Sequence, residues 1–365
     1  MYHVISHVVF HDEVEIYGPA HVLERFLKAR KKETSFLSLP LDLSGSYILR
    51  RGGREIKSPV SVSSSLVKWG YDFLYILKYL LKYGVKRQDV VIAIDPLNAC
   101  LFALLKPFIG FNLIYYTADY SDLRFSNPVF NAVYKYLDKL SLNLCDSNWC
   151  VSEGIVEKRT EQGYGKKAKF LPNTPILDDS PRKQDSKLKN ELVYVGRMDE
   201  NMSIWELLKA IKLLSAKISN IHLTLIGSGK NDEVKAFIKD SGLSKQIVFL
   251  GPKPNEEVIE VLKKSGIGIA LYSGGNLWNV YGDSMKIREY QYFGLPIITT
   301  TIPSNSREIT AFKCGTVFKP EEVTPEKIAE SVLAIQKEYN KFTDNSYKLA
   351  LIRMKDKMLG ELLNI

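Results

Sequence analysis

The chain has 365 residues, 45% of them hydrophobic and 25% charged, and a formal net charge of +9. That length holds two α/β domains of ordinary size, and that composition excludes a disordered or fibrous chain. The basic excess suits an acidic partner such as a polyphosphate or an anionic membrane surface, but the lysines are dispersed and no nucleic-acid motif accompanies them.

In chain order, apolar runs at residues 4–10, 35–39, 90–94, 113–116, 149–151 and 168–171 have the length of strands. Helical periodicity lies between several of them, notably at 21–30, 71–83 and 128–145. The most apolar stretch, 101–116, is interrupted by Lys106, Pro107 and Gly110, so it reads as a buried helix followed by a buried strand. It falls short of the roughly 18–20 apolar residues that a membrane span needs. A polar, proline-containing stretch at 176–187 is the best linker. Beyond it the alternation resumes, with strands at 192–195, 222–226, 248–250, 268–271, 296–300 and 316–318 and a helix near 204–216. Two such series predict an α/β chain of two Rossmann-like doubly wound domains facing a central cleft. The expected boundaries are a first domain at 1–178, a linker at 179–188 and a second domain at 189–340.

The start, Met1 to His7, has neither a basic region nor a long apolar core. No signal peptide is expected, and the chain reads as cytoplasmic. Cys100, Cys145, Cys150 and Cys314 have no metal-ligand spacing and read as buried reduced thiols.

The densest chemistry lies in Gly282-Asp283-Ser284-Met285-Lys286-Ile287-Arg288-Glu289-Tyr290, closed by Gly294-Leu295-Pro296. A Gly-Asp-Ser turn opens a helix there, so backbone N–H groups and the positive end of the helix dipole face one spot suited to phosphate. Lys286 supplies a cation for a diphosphate, and Glu289, one turn on, a carboxylate for two ribose hydroxyls. Asp283 either sits close to the phosphate or caps its own helix. Gly294 ends the helix and Pro296 blocks its continuation. Upstream, Gly196-Arg197 follows the first strand of the second domain, where the guanidinium spans two phosphate oxygens or forms a surface ion pair. Gly227-Ser228-Gly229 is a phosphate-facing turn or simply a tight one, and no further glycine completes a dinucleotide fingerprint. The set reads as a nucleotide-sugar site. The N–H groups of Gly282, Asp283 and Ser284, with Arg197 and Lys286, would carry the charge of a departing diphosphate without a metal ion or other cofactor.

Taken in order, Gly196-Arg197, Leu225-Ile226-Gly227-Ser228-Gly229, Val248-Phe249-Leu250-Gly251 and Lys286-x-x-Glu289-Tyr290 with Gly294-x-Pro296 resemble the donor half of GT-B glycosyltransferases of the glycosyltransferase family 4 type (glycosyl transferases group 1). The resemblance covers roughly residues 88–335. It implies donor binding by the second domain, acceptor binding by the first, and a last helical segment at 341–365 that packs back on the first domain. The chain departs from the pattern twice. The family often places a lysine some five residues after the arginine, where this chain has Asn201-Met202-Ser203-Ile204. Retaining members commonly carry a second glutamate eight residues before the ribose-binding one, and that position is Tyr281.

On the acceptor side, Tyr115 to Asp122 leaves a buried strand, and Asp119 is the candidate catalytic base or, equally, a loop cap. Asp95, ending another strand, ranks second. His11 and His21, in the first strand–helix loop, either contact the acceptor or lie on the surface. Tyr71, Tyr75, Tyr79 and Tyr83 repeat at spacing four beside Lys78, Lys82 and Lys86, a ridge suited to a lipid headgroup layer. Arg50, Arg51 and Arg54 form a basic turn around Gly52-Gly53.

The expected activity is transfer of a sugar from a nucleoside-diphosphate sugar to a glycan or lipid-linked acceptor, in cell-surface polysaccharide or glycoconjugate synthesis, at the inner face of the membrane. Two alternatives stay open. The missing lysine and Tyr281 suit a non-catalytic subunit that keeps the fold. A nucleotide-sugar epimerase shares the architecture, but the second domain's one histidine, His222, sits in an apolar strand.

Overall fold

The structure, a computed structural model, describes residues 1–11, 14–16, 18–175, 180–274 and 278–365, with backbone alone for His11, Val14 and Trp278. It divides into two units, Met1–Pro172 with Asp356–Ile365, and Asn173–Lys355.

The first unit comprises β1 (Tyr2–Val8), β2 (Phe10–His11), β3 (Val14–Glu15), α1 (Pro19–Ala29), β4 (Thr34–Pro40), β5 (Ser44–Arg51), β6 (Arg54–Ser61), α2 (Ser65–Tyr83), β7 (Val90–Ile94), α3 (Pro96–Ile109), β8 (Asn112–Thr117), α4 (Pro128–Leu144), β9 (Ser147–Cys150), α5 (Glu153–Glu161) and β10 (Ala168–Phe170). Its sheet runs β10-β9-β8-β7-β1-β4-β5-β6. The first six strands in that order are parallel, and β5 and β6 extend it as an antiparallel hairpin. Helix starts follow local chemistry. Ser64, Asn127 and Ser152 accept N–H bonds at the heads of α2, α4 and α5, and Gly110 ends α3 in the left-handed region. The strands are apolar on both faces because helices cover them, and Ile5, Val91, Leu113, Phe102 and Tyr115 are fully buried. Each such aliphatic or aromatic side chain contributes about 1.5–3 kcal/mol by leaving water.

The second unit comprises β11 (Glu191–Val195), α6 (Ile204–Ser215), β12 (His222–Ile226), α7 (Asn231–Asp240), β13 (Ile247–Gly251), α8 (Asn255–Leu262), β14 (Ile267–Ala270), α9 (Trp278–Tyr281), α10 (Met285–Tyr292), β15 (Ile297–Thr300), α11 (Ser306–Phe312), β16 (Gly315–Phe318), α12 (Pro325–Lys337) and α13 (Tyr339–Ile352). Its sheet is wholly parallel in the order β13-β12-β11-β14-β15-β16. α6 packs with α12 and α10 with α13. The final helix α14 (Lys355–Leu363) belongs with the first unit, where Arg30 Nη1 donates to the Ile365 carbonyl at 2.9 Å.

One element is new and two expected boundaries shift. The hairpin of β5 and β6 was not foreseen, because β6 is an exposed edge strand with Pro59 in it and carries little apolar alternation. The unit boundary falls at 172 rather than 178, and the polar stretch beyond it is partly packed. Gln184 Nε2 donates to the carbonyls of Leu262 and Ser265, and the Arg182 N–H to that of Tyr292, all within the second unit. Residues 176–179 of the expected linker lie outside the described residues. Finally, 341–355 stays with the second unit, since α13 packs on α10 and α11 and Ser346 Oγ donates to the Leu295 carbonyl. Only α14 returns.

Candidate functional site

Each sheet has a switch point, between β1 and β7 in the first unit and between β11 and β14 in the second, where successive connections leave in opposite directions. Crevices that bind ligands open at the carboxyl ends of strands at such points.

In the second unit, Tyr290 ties α10 to both switch-point strands. Its hydroxyl donates to the Ile269 carbonyl at 3.1 Å and accepts the Val195 N–H at 3.0 Å. Gly268 makes room for it, as a Cβ there would lie 2.3 Å from the tyrosine ring. So anchored, α10 holds Lys286 and Glu289 at the mouth. The Lys286 ammonium lies over the rings of Tyr194 and Tyr272, 5.1 and 5.0 Å from their centroids. It also sits against Gly196, where a Cβ would approach Nζ to 2.7 Å. Burial pulls the Lys286 pKa down to about 8 against the pull of Glu289 and Asp199, and pushes that of Glu289 up to about 7 against the cation. Among the described residues neither side chain forms a hydrogen bond or an ion pair.

The other predicted donor residues take different parts. Arg197 is exposed, with Nε 3.0 Å from Asp199 Oδ2. Gly227 faces protein rather than open space, and its Cβ would meet the Gly196 carbonyl oxygen at 1.9 Å. Met198 bonds Ser228 and Lys230 through the backbone, so the two loops are zipped together. The Gly282 N–H donates to the Asn279 carbonyl, and that of Ser284 to Asn305 Oδ1. Ser284 Oγ caps Ile287 and meets the Tyr272 hydroxyl. Among the described residues, the N–H groups left without an acceptor at this helix start are those of Asp283, Met285 and Lys286. The Asp283 carboxylate is turned into the protein. It is fully buried, held by Arg288 Nη2 at 2.7 Å and by the Asn173 N–H at 2.9 Å. Arg288 also bonds Glu308, which in turn meets Arg353 Nε at 2.5 Å. Burial raises the Asp283 pKa, and Arg288 opposes the rise.

In the first unit, Asp119 is exposed just beyond β8 and pairs with Arg124 Nη1 at 3.2 Å. The switch point holds residues that the sequence did not single out together. His7, at the end of β1, has Nδ1 2.7 Å from Asp95 Oδ2 and Nε2 3.1 Å from Asp72 Oδ2. Asp72 also accepts from the Tyr47 hydroxyl and from Lys68. Asp95, at φ 68°, caps α3 by accepting from the N–H groups of Leu97 and Asn98. Burial alone would lower the His7 pKa, but Asp95 and Asp72 outweigh it and raise it to about 9. His21 is buried, with Nδ1 3.2 Å from the Gly18 N, whereas the side chain of His11 lies outside the described residues. Of the tyrosine ridge, only Tyr71 is exposed. Tyr75 stacks on Tyr47, and Tyr79 is buried beside His3 and Ser35. All four cysteines are buried and free. Among the described residues no group of three or more His, Cys, Asp or Glu side chains is placed to hold a metal ion.

Residues 178–349, which contain every donor-side element above, match the family model described as Glycosyl transferases group 1. The second unit carries a glycosyl transferases group 1 domain. No curated protein matches the sequence of this chain. Its fold is similar to that of sucrose-phosphate synthase from Thermosynechococcus elongatus, at 12% identity and a TM-score of 0.63, covering 100% of this chain and 98% of that one. It is equally similar to WaaG, a glycosyltransferase involved in lipopolysaccharide biosynthesis, at 13% identity and 0.63 over 99% of each chain. Anabaena HepE in complex with UDP follows at 13% identity and 0.59, covering 94% of this chain and 88% of that one. At these identities the likeness is one of fold.

Proposed function

We propose that this chain is a glycosyltransferase that moves a sugar from a nucleoside-diphosphate sugar to a glycan or lipid-linked acceptor, in the synthesis of a cell-surface polysaccharide or glycoconjugate. The observation that carries the reading is the pair Lys286 and Glu289. Both are partly buried at the second switch point, and among the described residues neither has a hydrogen-bonding partner. A partly buried cation and carboxylate without hydrogen-bonding partners are costly unless a ligand completes them. Lys286, with the N–H groups of Met285 and Lys286, would take the diphosphate, and Glu289 the ribose hydroxyls. Arg197, turning from Asp199, would add a second cation. Fixed donors aimed at the growing charge of the leaving diphosphate lower the barrier by about 3–4 kcal/mol for each good one, here without a metal ion. UDP in the Anabaena relative is in keeping with such a donor.

Asp119 is the proposed partner of the acceptor hydroxyl in the first unit. A lipid-linked acceptor suits the outer face of α2, where Leu66, Phe73, Leu74 and Leu81 are exposed beside Lys78 and Lys82. No helix among the described residues is long and apolar enough to cross a membrane.

Calorimetric titration with UDP, GDP, ADP and their sugars tests the reading. Selective binding in the wild type, weakened about tenfold or more in Lys286→Ala and Glu289→Gln at unchanged thermal stability, is expected. No binding to any of them, or equal binding by the variants, would remove this pair from the donor site.

A further inference from the structure

The first unit carries a second concentration of charge at the amino edge of its sheet, the end away from His7 and Asp95. β5 and β6 meet there in a two-residue turn, Gly52-Gly53, at φ 57° and 75°, a geometry that glycine adopts without strain. The residues that close the turn are Arg51 and Arg54, paired directly across the two strands. Like charges in that position repel and destabilise a hairpin. One register position away the pairing is conventional, with Arg50 Nε 2.8 Å from Glu55 Oε2 and the same guanidinium also meeting Glu15. Nothing similar relieves Arg51 and Arg54, for which no carboxylate partner exists among the described residues.

The turn is one wall of a pocket of about 390 Å³ whose other wall is the end of α1 and the approach to β4, with Lys28 and Lys32. Arg50, Glu33 and Glu55 also line it, so five cations face two carboxylates; Arg50 is engaged by Glu15 and Glu55, and Lys28 by Glu24. Arg51 is already positioned. Its guanidinium lies over the Tyr83 ring, 5.0 Å from the centroid, and its Nη1 is buried with no acceptor. A planar guanidinium braced on an aromatic face presents its remaining N–H groups in a fixed fork that matches phosphate oxygens.

We propose that this pocket binds a phosphate group, which would supply the anion that the Arg51–Arg54 pair lacks. The group is carried by a free phosphate or by a phospholipid headgroup, and the proposal does not depend on the donor reading.

The test uses the full chain in two arms. In the first, the melting temperature is followed with sodium phosphate against sodium chloride at matched ionic strength. In the second, sedimentation is measured with phosphatidylcholine vesicles with and without phosphatidylglycerol. Wild type is compared with Arg51→Gln/Arg54→Gln and with Lys217→Gln/Lys239→Gln, which removes the same charge from exposed positions in the second unit. The expected result is binding in one arm that weakens about tenfold or more in the arginine variant but not in the control. A phosphate-dependent rise in melting temperature identifies a free anion, and selective vesicle binding identifies the headgroup. The arginine variant should itself be no less stable than the wild type, since the repulsion is gone. No binding in either arm, or equal behaviour of the two variants, overturns the proposal.

Discussion

Lys286 is held in place by two aromatic rings and by the absence of a side chain at Gly196. Gly196→Ala is therefore a sharper probe than removal of the lysine. The backbone there sits at φ 136°, so strain should cost about 1–3 kcal/mol of stability. The added methyl should also displace the ammonium, with a fall of about a hundredfold in donor kcat/KM. Thermal melts and steady-state kinetics separate the two effects, and an unchanged kcat/KM would mean that Lys286 is not used. His7 gives a pH signature instead. With a pKa raised from 6.5 to about 9 by Asp95 and Asp72, its protonated form stabilises the folded state fully below pH 6.5. That contribution, on the order of 3 kcal/mol, should be lost as the pH climbs through 9. Urea unfolding of wild type and His7→Gln across this range should show the slope in the wild type alone.

At the scale of elements, α10 carries two jobs on opposite faces. Lys286 and Glu289 face the mouth, while Arg288 faces inward to Asp283 and Glu308. The first pair was legible in the sequence because its logic is local: a helix start, a cation in its first turn and a carboxylate one turn later. The inward set was not, because it draws on Asn173, Glu308 and Arg353, far apart in sequence. From sequence alone Asp283 therefore reads as a neighbour of the phosphate or as a cap of its own helix, and its inward partners stay hidden. Asp283→Ala should destabilise the second unit by about 3–5 kcal/mol, the cost of leaving a buried guanidinium with a missing partner. At a temperature where the variant remains folded, its nucleotide affinity should be near that of the wild type. A large affinity loss at unchanged stability would return Asp283 to the site. The tyrosines of α2 were misassigned for a related reason: spacing fixes a face but not its direction, and the buried face also takes Lys68 and Asp72.

For the molecule as a whole, the parallel part of each sheet is readable from alternating apolar runs and helical periods. The family match and the fold likeness differ in reach: the former covers 178–349, while the solved structures align over nearly the whole chain. Donor chemistry fixes residue types at set spacings, whereas the first unit needs only buried strands and helices, a pattern that many sequences satisfy. His7, Asp72 and Asp95 were not grouped from sequence because a switch point joins strands that are distant along the chain. A chain ending at Met354 lacks α14, whose Leu359 is fully buried. It should retain nucleotide binding by the second unit while amide exchange in the first accelerates, measured by hydrogen–deuterium exchange. Equal protection in both forms would show that α14 adds nothing.

The return of α14 to the first unit bears on the order of events at the ribosome. The first 172 residues are translated before any of the second unit, yet the helix that completes them follows residue 355. During synthesis the earlier-born half must wait, with the surface meant for α14 uncovered, while the later-born half has all of its own elements before translation is finished. The half with the head start is the last to be closed.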